Sequence, residues 1–369
     1  MIKNFKKIVI KIGSSTIINE KSEKIKIRWL NSICKDIKSL IKDNKKIAIV
    51  SSGAIALGKK SISKNKPIQR LEDKQAAASI GQIELANSWQ KALKKYGISS
   101  AQILLTLDDS EVRRRYLNVR KTISSLHKNN FIPIINENDT VATEEIRYGD
   151  NDRLAARVAQ MIDADLLIML SDVDGLYTES PSKNKNAKKV ININSINKAI
   201  ENMADDKRSK FGSGGMTTKI WAAKICMNSG CSTIITNGQK LHPLSNISKK
   251  NSSWFNASNS PSSSRKQWLM NHLHPSGTIV IDNGAENAIK HNKSLLPAGV
   301  LEIKGKFNRG DIITISNAKN KKVGIGVVAY DFHEVEKIIG KNSKKIKHIL
   351  GYEGRDELIH KDDLVKIDL

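Results

Sequence analysis

The sequence predicts an α/β protein: a parallel sheet covered by helices on both faces, followed by a smaller β-rich domain. Over the first two-thirds of the chain, apolar strands alternate with amphipathic helices, which is typical of a parallel sheet between two helical layers. The strands are almost continuously apolar, as expected of strands buried on both faces. The C-terminal part instead has short strands separated by Gly, Asn and Asp turns. A length of 369 residues also favours two domains.

The N-terminal elements follow from the spacing of apolar residues. The first long helix, for example, has five apolar side chains at helical spacing on one face: Leu30, Ile33, Ile37, Leu40 and Ile41. Continuous apolar runs predict strands over 7–13, 46–53, 98–106, 131–136, 165–170 and 231–236. Helical periodicity predicts helices over 28–43, 74–95, 110–129, 152–162 and 215–229.

A change of composition separates the two domains. Residues 239–272 are rich in Ser, Asn and Lys, and we expect a final edge strand there and then a linker. The predicted boundaries are 1–258 for the first domain, 259–272 for the linker and 273–369 for the second domain. In the second domain we predict four strands and two short helices, which suggest a small β-barrel: strands 276–282, 300–307, 311–316 and 323–330, and helices 284–291 and 331–340.

Composition limits the classes of function. The chain has no apolar run long enough to span a membrane, and no cleavage site follows the short apolar stretch near its N-terminus, so we expect a cytoplasmic protein without a membrane partner. Its three cysteines have no metal-ligand spacing and are interpreted as buried thiols. The net charge of +25 has two explanations: a nucleic-acid partner, or Lys-rich drift in an AT-rich genome. The lysines are scattered, which favours drift.

Ligands of parallel sheets bind beyond the carboxyl ends of the strands, so the strand-end loops are the candidate sites. The first such loop contains Lys11, Gly13 and Ser14. A lysine within an apolar strand is costly to bury without an anion, and glycine lets a ligand approach the backbone. The alternative is an edge-strand lysine followed by a plain turn.

The second loop, 51–54, precedes a helix-like segment. Backbone N–H groups at a helix start bind anions, although a serine cap with a glycine turn would look the same.

The third candidate consists of two polar clusters, 136–139 and 149–152, which flank a short segment after one strand. Carboxylates there could orient lysines, bind an ammonium group or hold Mg²⁺. Single members of the clusters could instead be helix N-caps.

The fourth loop, 211–219, leads glycines into a helix that carries Lys219. Bare N–H groups, the helix dipole and an ammonium group together suit a phosphate, although the spacing is not that of a Walker A motif. The alternative is a flexible loop with an incidental lysine. Two lysines with carboxylates between them fit phosphoryl transfer, which depends on positioning and charge neutralisation.

Six segments together resemble the glutamate 5-kinases of the amino-acid kinase family: VIKIGSS, IVSSGAIALG, PIINENDTVAT, GDNDRLAA, SDVDGLYT and GSGGMTTK. The C-terminal segments SLLPAGV, FNRGDIITI and LGYEGRDEL resemble the PUA domain that follows the kinase domain in bacterial members. The resemblance covers nearly the whole chain. It implies a three-layer kinase domain with a parallel sheet, followed by a small β-rich PUA barrel.

The resemblance also implies site residues. Lys11 and Lys219 would stabilise the transferring phosphoryl group, and Asp152 would orient them. Ser52, Asp139 and Asn151 match glutamate-binding positions, and four neighbours are assigned to the same substrate: Gly53, Ala54, Asn136 and Asp150. Others match nucleotide-binding residues: Lys11, Gly13, Ser14, Ser171, Asp172, Ser213, Gly214, Gly215, Met216, Thr217, Thr218 and Lys219. No protein ligand is assigned to a metal.

The implied reaction is phosphorylation of the γ-carboxylate of L-glutamate by ATP with Mg²⁺, the first step of proline biosynthesis. The resemblance further implies feedback inhibition by L-proline, a homodimer or homotetramer, and transfer of the product to glutamyl phosphate reductase. Two alternatives stay open: an RNA-binding PUA protein, and a kinase for another carboxylate substrate.

Overall fold

The computed structural model describes residues 2–62, 68, 70–141, 150–181, 184, 186–204, 215–261, 264 and 275–367. The chain divides into two compact units, Met1–Pro261 and Ser262–Leu369. Most of the predicted linker 259–272 lies outside the described residues, so its boundaries stay a prediction. In the part of the chain that the structure describes, no helix is long and apolar enough to cross a membrane.

In the first unit, helices separate most of the long strands from one another. Its strands are β1 Lys7–Ile12, β2 Ile18–Asn19, β3 Lys24–Ile25, β4 Lys46–Ser51, β5 Ser99–Leu105, β6 Phe131–Glu137, β7 Leu166–Ser171, β8 Leu176–Tyr177, β9 Lys189–Val190, β10 Asn192–Ile193, β11 Ser232–Asn237 and β12 Ser252–Phe255. Its helices are α1 Ser14–Ile17, α2 Ile27–Lys42, α3 Ala54–Ile62, α4 Leu71–Lys94, α5 Asp108–Glu111, α6 Arg113–Lys128, α7 Asp150–Met161, α8 Lys198–Asn202 and α9 Met216–Asn228.

Eight of these strands form one sheet in the order β10-β12-β11-β7-β1-β4-β6-β5. Strand β1 is central and pairs in parallel with both β4 and β7. The sheet is parallel from β11 to β5, but β12 runs antiparallel to β11. No α-helix lies in the connection 238–251, so the chain simply turns back, whereas a parallel pair would need a crossover. Strand β12 is also one position inside the sheet edge, which corrects the expectation of an edge strand.

The two faces of the sheet have separate hydrophobic cores, and alternation along β1 decides which side chain belongs to which. Ile8, Ile10 and Ile12 pack in the core that includes α2 and α4. Val9 packs in the opposite core, which includes α7 and α9. Because side chains alternate along a strand, Lys11 lies on the same face as Val9. The three-layer architecture is therefore confirmed, and Lys11 faces α7 and α9.

Helices α3 and α4 approach each other unusually closely through two glycines. A Cβ atom on Gly58 would lie 1.9 Å from the carbonyl oxygen of Ala77, and one on Gly81 would lie 1.9 Å from the carbonyl oxygen of Ala54. Neither position has room for a larger residue. The contact fixes the first residue of α3 against the middle of α4.

A buried carboxylate holds the segment after β11 against α2. Asp36 is only 4% exposed and accepts hydrogen bonds from the backbone N–H groups of Leu244 and Ser245, at 3.0 and 3.2 Å. It also accepts one from the Ser245 hydroxyl at 2.8 Å and lies 2.9 Å from Nδ1 of His242. Nearby, the indole of Trp29 donates to the carbonyl of Gly238. These bonds fix the end of β11.

The second unit is a small β-rich domain, as predicted. Its strands are β13 Thr278–Ile281, β14 Val300–Lys304, β15 Ile312–Asn317, β16 Lys322–Val327 and β17 Leu364–Lys366, in the order β14-β13-β15-β16-β17. Its helices are α10 Asn283–Lys290, α11 Phe332–Ile338 and α12 Ile346–Leu350. All pairs are antiparallel except β13 with β15. Strand β17 was not predicted, because three residues are too few to show a period.

Candidate active site

Three charged side chains from distant parts of the chain meet beside the central strand. Asp152, in the first turn of α7, lies 2.5 Å from Nζ of Lys11 on β1 and 3.2 Å from Nζ of Lys219 on α9. The Lys11 and Lys219 side chains are 10% and 7% exposed, and that of Asp152 is fully buried. Because β1 is paired on both edges, the alternative interpretation of Lys11 as an edge-strand lysine is wrong.

The charges of this cluster depend on one another. Burial alone would raise the pKa of Asp152, but the ammonium groups of Lys11 and Lys219 outweigh burial and hold the pKa below its ordinary value. Burial lowers the pKa of Lys11, and the charge of Lys219 adds to this effect while Asp152 opposes it. The carboxylate is thus ionised at neutral pH and holds two like charges together. Two ammonium groups and one carboxylate leave one net positive charge, which suits a polyanion such as a transferring phosphoryl group.

Thr218 completes the cluster. Its Oγ1 atom lies 2.8 Å from Oδ2 of Asp152 and 2.9 Å from the carbonyl oxygen of Gly215, one turn earlier. Nζ of Lys219 is also 3.4 Å from the Gly215 carbonyl. The first turn of α9 is thereby attached to the first turn of α7. The sequence predicts Thr218 as a nucleotide-binding residue, and the structure adds a contact with Asp152.

A chain of amide and hydroxyl groups connects three of the predicted glutamate-binding residues. Nδ2 of Asn151 lies 2.7 Å from Oγ of Ser52 and 3.2 Å from Oδ1 of Asn136. Nδ2 of Asn136 in turn donates to Oε1 of Gln82 at 2.7 Å. Gln82 was missed by sequence reasoning, since a polar residue within a long helix gives no functional signal. These four residues form a hydrogen-bonded series, called the amide chain below, with Ser52 at one end and Gln82 of α4 at the other. It joins the residues at the ends of β4 and β6 to the start of α7.

The other acidic residue predicted in this region, Asp139, lies in a neighbouring cavity of about 260 Å³. The cavity is bounded by α4, β5 and the end of β6, and its lining includes Gln82, Gln102, Glu137 and Asp139. Burial raises the pKa of Asp139 to about 6. Gln82 is thus the last member of the amide chain and also borders the cavity that contains Asp139.

Gly53 has a backbone conformation that few other residues tolerate. Its φ is +125°, and a Cβ atom there would lie 2.7 Å from Cδ1 of Ile18. Helix α3 begins at the next residue, Ala54, which is buried. A tight turn into a helix start, as predicted from the second loop, is therefore present beside Ser52.

The predicted nucleotide-binding residues Gly13, Ser14, Ser171 and Asp172 lie at the ends of β1 and β7. The N–H of Gly13 donates to the carbonyl of Leu170 at 3.4 Å, and Ser14 begins α1. Ser171 donates from its hydroxyl to Asp172 at 2.9 Å, and its carbonyl accepts from the N–H of Gly238 at 2.7 Å. The structure thus brings these four residues to the carboxyl ends of the strands, next to Lys11.

Comparison with known proteins shows the family of this chain. Residues 6–237 match the model of the amino acid kinase family, and residues 277–350 match the PUA domain. A glutamate 5-kinase from Paramagnetospirillum magneticum is 47% identical, with 98% of this chain and 97% of that protein covered. One from Agrobacterium fabrum is 51% identical, with coverages of 97% and 92%, and one from Pelagibacter ubique is 48% identical, with coverages of 99% and 100%. The chain belongs to the glutamate 5-kinases of the amino acid kinase family. Among solved structures, a UMP kinase from Bacillus anthracis is similar at 14% identity and a TM-score of 0.49, covering 69% of this chain and 98% of that chain.

The remaining residues expected from the family resemblance lie either outside the described residues or at the start of α7 and α9. Ser213 and Gly214 lie outside the described residues, as does most of the predicted loop 211–219. Asp150 is the first residue of α7, but its side chain is not among those described. Gly215 precedes α9, whose first two residues are Met216 and Thr217. The contribution of these residues to the site of this kinase stays a prediction.

The described residues that surround the lysines do not form a metal site. Within the described ranges, no group of three or more His, Cys, Asp or Glu side chains could hold a metal ion. Asp152, the carboxylate at the centre, is occupied by two ammonium groups and a hydroxyl group. The donors around it suit an anion and not a protein-bound cation.

Proposed function

We propose that this chain transfers the γ-phosphoryl group of ATP to the γ-carboxylate of L-glutamate, which gives L-glutamyl 5-phosphate and ADP. The observation that carries the proposal is the contact of Asp152 with both Lys11 and Lys219, each almost fully buried. Relatives that cover nearly the full chain carry the name glutamate 5-kinase. The place of the reaction in proline biosynthesis follows from that name.

The reaction requires neutralisation of the phosphoryl charge, but it does not require a general base. A γ-carboxylate is ionised at neutral pH, so one of its oxygens attacks the γ-phosphorus directly. A new bond forms between that oxygen and phosphorus while the bond from phosphorus to the β–γ bridging oxygen breaks, and ADP leaves with the electron pair. Lys11 and Lys219 stabilise the charge that develops on the phosphoryl oxygens, and Asp152 keeps the two ammonium groups in place.

The remaining site residues divide between the two substrates. Ser52, Gly53, Ala54, Asn136, Asp139, Asp150 and Asn151 bind glutamate in this proposal. Nucleotide binding falls to Gly13, Ser14, Ser171, Asp172 and residues 213–219. Support comes from the position of the described loop residues among them at the carboxyl ends of parallel strands, on either side of the lysine cluster.

Finer parts of the proposal rest on the family resemblance. These are Mg²⁺ as the ion that accompanies ATP, a homodimer or homotetramer, inhibition by L-proline, transfer of the product to glutamyl phosphate reductase, and a cytoplasmic location. The domain limits 1–258 and 273–369 belong to the same set. Each is a separate prediction.

The reaction is tested by incubating the full chain with Mg·ATP and glutamate, with hydroxylamine present to trap the acyl phosphate. We expect hydroxamate from the wild type and a loss of about 10²- to 10³-fold in kcat for Lys219→Ala, the usual effect of removing one group that stabilises transition-state charge. Lys224→Ala is the matched control, because Lys224 lies on the same helix and pairs with Glu201 on the surface. Faster turnover of aspartate or N-acetylglutamate than of glutamate would overturn the substrate assignment.

A further inference from the structure

The amide chain at the proposed glutamate site has a definite polarity. Oε1 of Gln82 accepts from Asn136, and Oδ1 of Asn136 accepts from Asn151. Nδ2 of Asn151 carries two protons and has two acceptors, Oδ1 of Asn136 and Oγ of Ser52. Each link therefore sets the direction of the next one, from Gln82 on α4 to Ser52 after β4.

The direction of these hydrogen bonds determines which donors and acceptors remain available to a ligand at the Ser52 end of the amide chain. Oγ of Ser52 already accepts a hydrogen bond, so its own proton is free to be donated. Oδ1 of Asn151 is buried and has no hydrogen-bond partner among the residues that the structure describes. The end of the chain thus offers one hydroxyl donor and one carbonyl acceptor next to each other. A buried acceptor without a partner is unfavourable unless a ligand supplies a donor.

We infer that Gln82 is a positioning residue that orients the amide chain so that Ser52 donates to a carboxylate, and Asn151 accepts from an ammonium group, of one amino-acid substrate. The inference rests on the proposed function, since glutamate carries both groups on its α-carbon. Gln82 is suited to this role because it is 9% exposed and lies on α4, which Gly81 holds tightly against α3. A buried glutamine on a packed helix has little freedom to turn its amide.

The role requires only an acceptor at position 82, and this gives a sharp test. Gln82→Glu keeps an acceptor for Asn136, Gln82→Met keeps the length without an acceptor, and Gln82→Lys offers only donors. We expect the KM for glutamate to stay within about threefold of wild type for Gln82→Glu. It should rise about tenfold or more for Gln82→Met and Gln82→Lys, the size of one lost hydrogen bond. The KM for ATP should stay constant in all three variants.

If only the charge at position 82 affected glutamate binding, the KM values of the variants would follow the opposite order. The measurement therefore separates a charge effect from the positioning role. A lysine would attract anionic glutamate and a glutamate side chain would repel it, so a lower KM for Gln82→Lys than for Gln82→Glu would overturn the inference. An unchanged KM for glutamate in Gln82→Met would overturn it as well, and so would equal increases of this KM in Gln82→Met and Gln82→Glu. The constant KM for ATP shows that each variant is folded at the active site.

The hydroxamate assay of the wild type separates a failure of this inference from a failure of the proposed function. Without hydroxamate from glutamate, the substrate assignment fails and the inference fails with it. With hydroxamate from the wild type and no difference among the three variants, the function stands and the role of Gln82 is refuted.

Discussion

The indole Nε1 of Trp89 donates a hydrogen bond to the hydroxyl of Ser51, 3.0 Å away, and both residues are buried. Trp89 lies two turns after Gln82 on the same face of α4. One helix therefore contacts the proposed glutamate site twice, at the end of β4 and at the end of β6. Neither of the two α4 residues, Gln82 and Trp89, has an evident chemical role in the sequence.

Trp89→Phe tests the first contact. The substitution keeps an aromatic ring but leaves Ser51 without its indole donor, and we expect a loss of stability of about 1–3 kcal/mol. Because Ser51 precedes Ser52, the KM for glutamate should rise too. Thermal unfolding and steady-state kinetics measure the two effects. Trp254→Phe is the control: it removes an indole hydrogen bond to Ser252 on β12, so it should lower the melting temperature but leave the KM for glutamate unchanged.

Asp152→Asn tests the central carboxylate. The amide is close in size but carries no charge, so two buried ammonium groups lose their counter-ion. We expect destabilisation of about 3–5 kcal/mol, typical of a broken buried ion pair, and a fall in kcat of about 10²-fold or more. Chemical denaturation and the hydroxamate assay measure these quantities. A variant with wild-type stability and rate would contradict the role of Asp152.

The pH dependence of stability in the wild type and in Asp152→Asn gives a second test of this carboxylate. The pKa of Asp152 is lower in the folded than in the unfolded chain, so its ionised form adds stability above the unfolded pKa of about 3.9. That contribution is lost as the pH falls below about 4 towards the folded pKa. The difference in unfolding free energy between wild type and Asp152→Asn should therefore be constant from pH 5 to 7 and shrink below pH 4. A difference that grows on acidification would refute the assignment.

Asp139 should give the glutamate reaction a pH dependence near neutrality. Its pKa is raised to about 6 by burial, so the carboxylate that the proposed function assigns to glutamate binding becomes neutral below that pH. We expect kcat/KM for glutamate to fall by roughly tenfold per pH unit below pH 6, as for any essential ionised group. Asp139→Asn should have a low kcat/KM that is independent of pH from 5 to 7. The same slope in the variant would assign the dependence to another group.

Gly81→Ala tests the close approach of α3 and α4. The added methyl group would meet the carbonyl oxygen of Ala54, so the helices must separate, at a cost of about 1–3 kcal/mol. The separation should also weaken glutamate binding, because it moves Gln82 away from Asn136. Asn87→Ala, at an exposed position of the same helix, should change neither quantity. Thermal unfolding and the KM for glutamate distinguish the two variants.

The main features of the fold could be predicted because apolar periodicity reports burial directly. Lys11 shows how far this extends to the site: a charge within an apolar strand marks a buried position that needs a partner. The antiparallel direction of β12 could not be predicted, because half of the strand is serine and resembles a loop. Ser252 and Ser253 are buried because their hydroxyls bond to the carbonyls of Ser248 and Val190, which are contacts that sequence periodicity does not contain.

Site residues with charge or glycine signatures could be proposed from the sequence, whereas residues that act through geometry could not. Gln82 and Trp89 occupy ordinary positions of a long helix, and only the packing of α4 gives them a contact with the site. Asp36 is similar: it lies within the amphipathic helix α2, yet it is buried because it accepts hydrogen bonds from the backbone of residues 244 and 245. Such roles depend on which elements become neighbours in the folded chain.

The position of β1 at the centre of the sheet has a consequence for the mechanics of the site. Lys11 extends from a strand hydrogen-bonded on both edges, so its backbone can be displaced only together with β4 and β7. Lys219 projects instead from a helix that packs on the sheet surface, and a small slide of that helix is mechanically much easier. In the proposed reaction, the ammonium group of Lys11 would therefore keep its position relative to the sheet, and any adjustment to the substrates would come from Lys219.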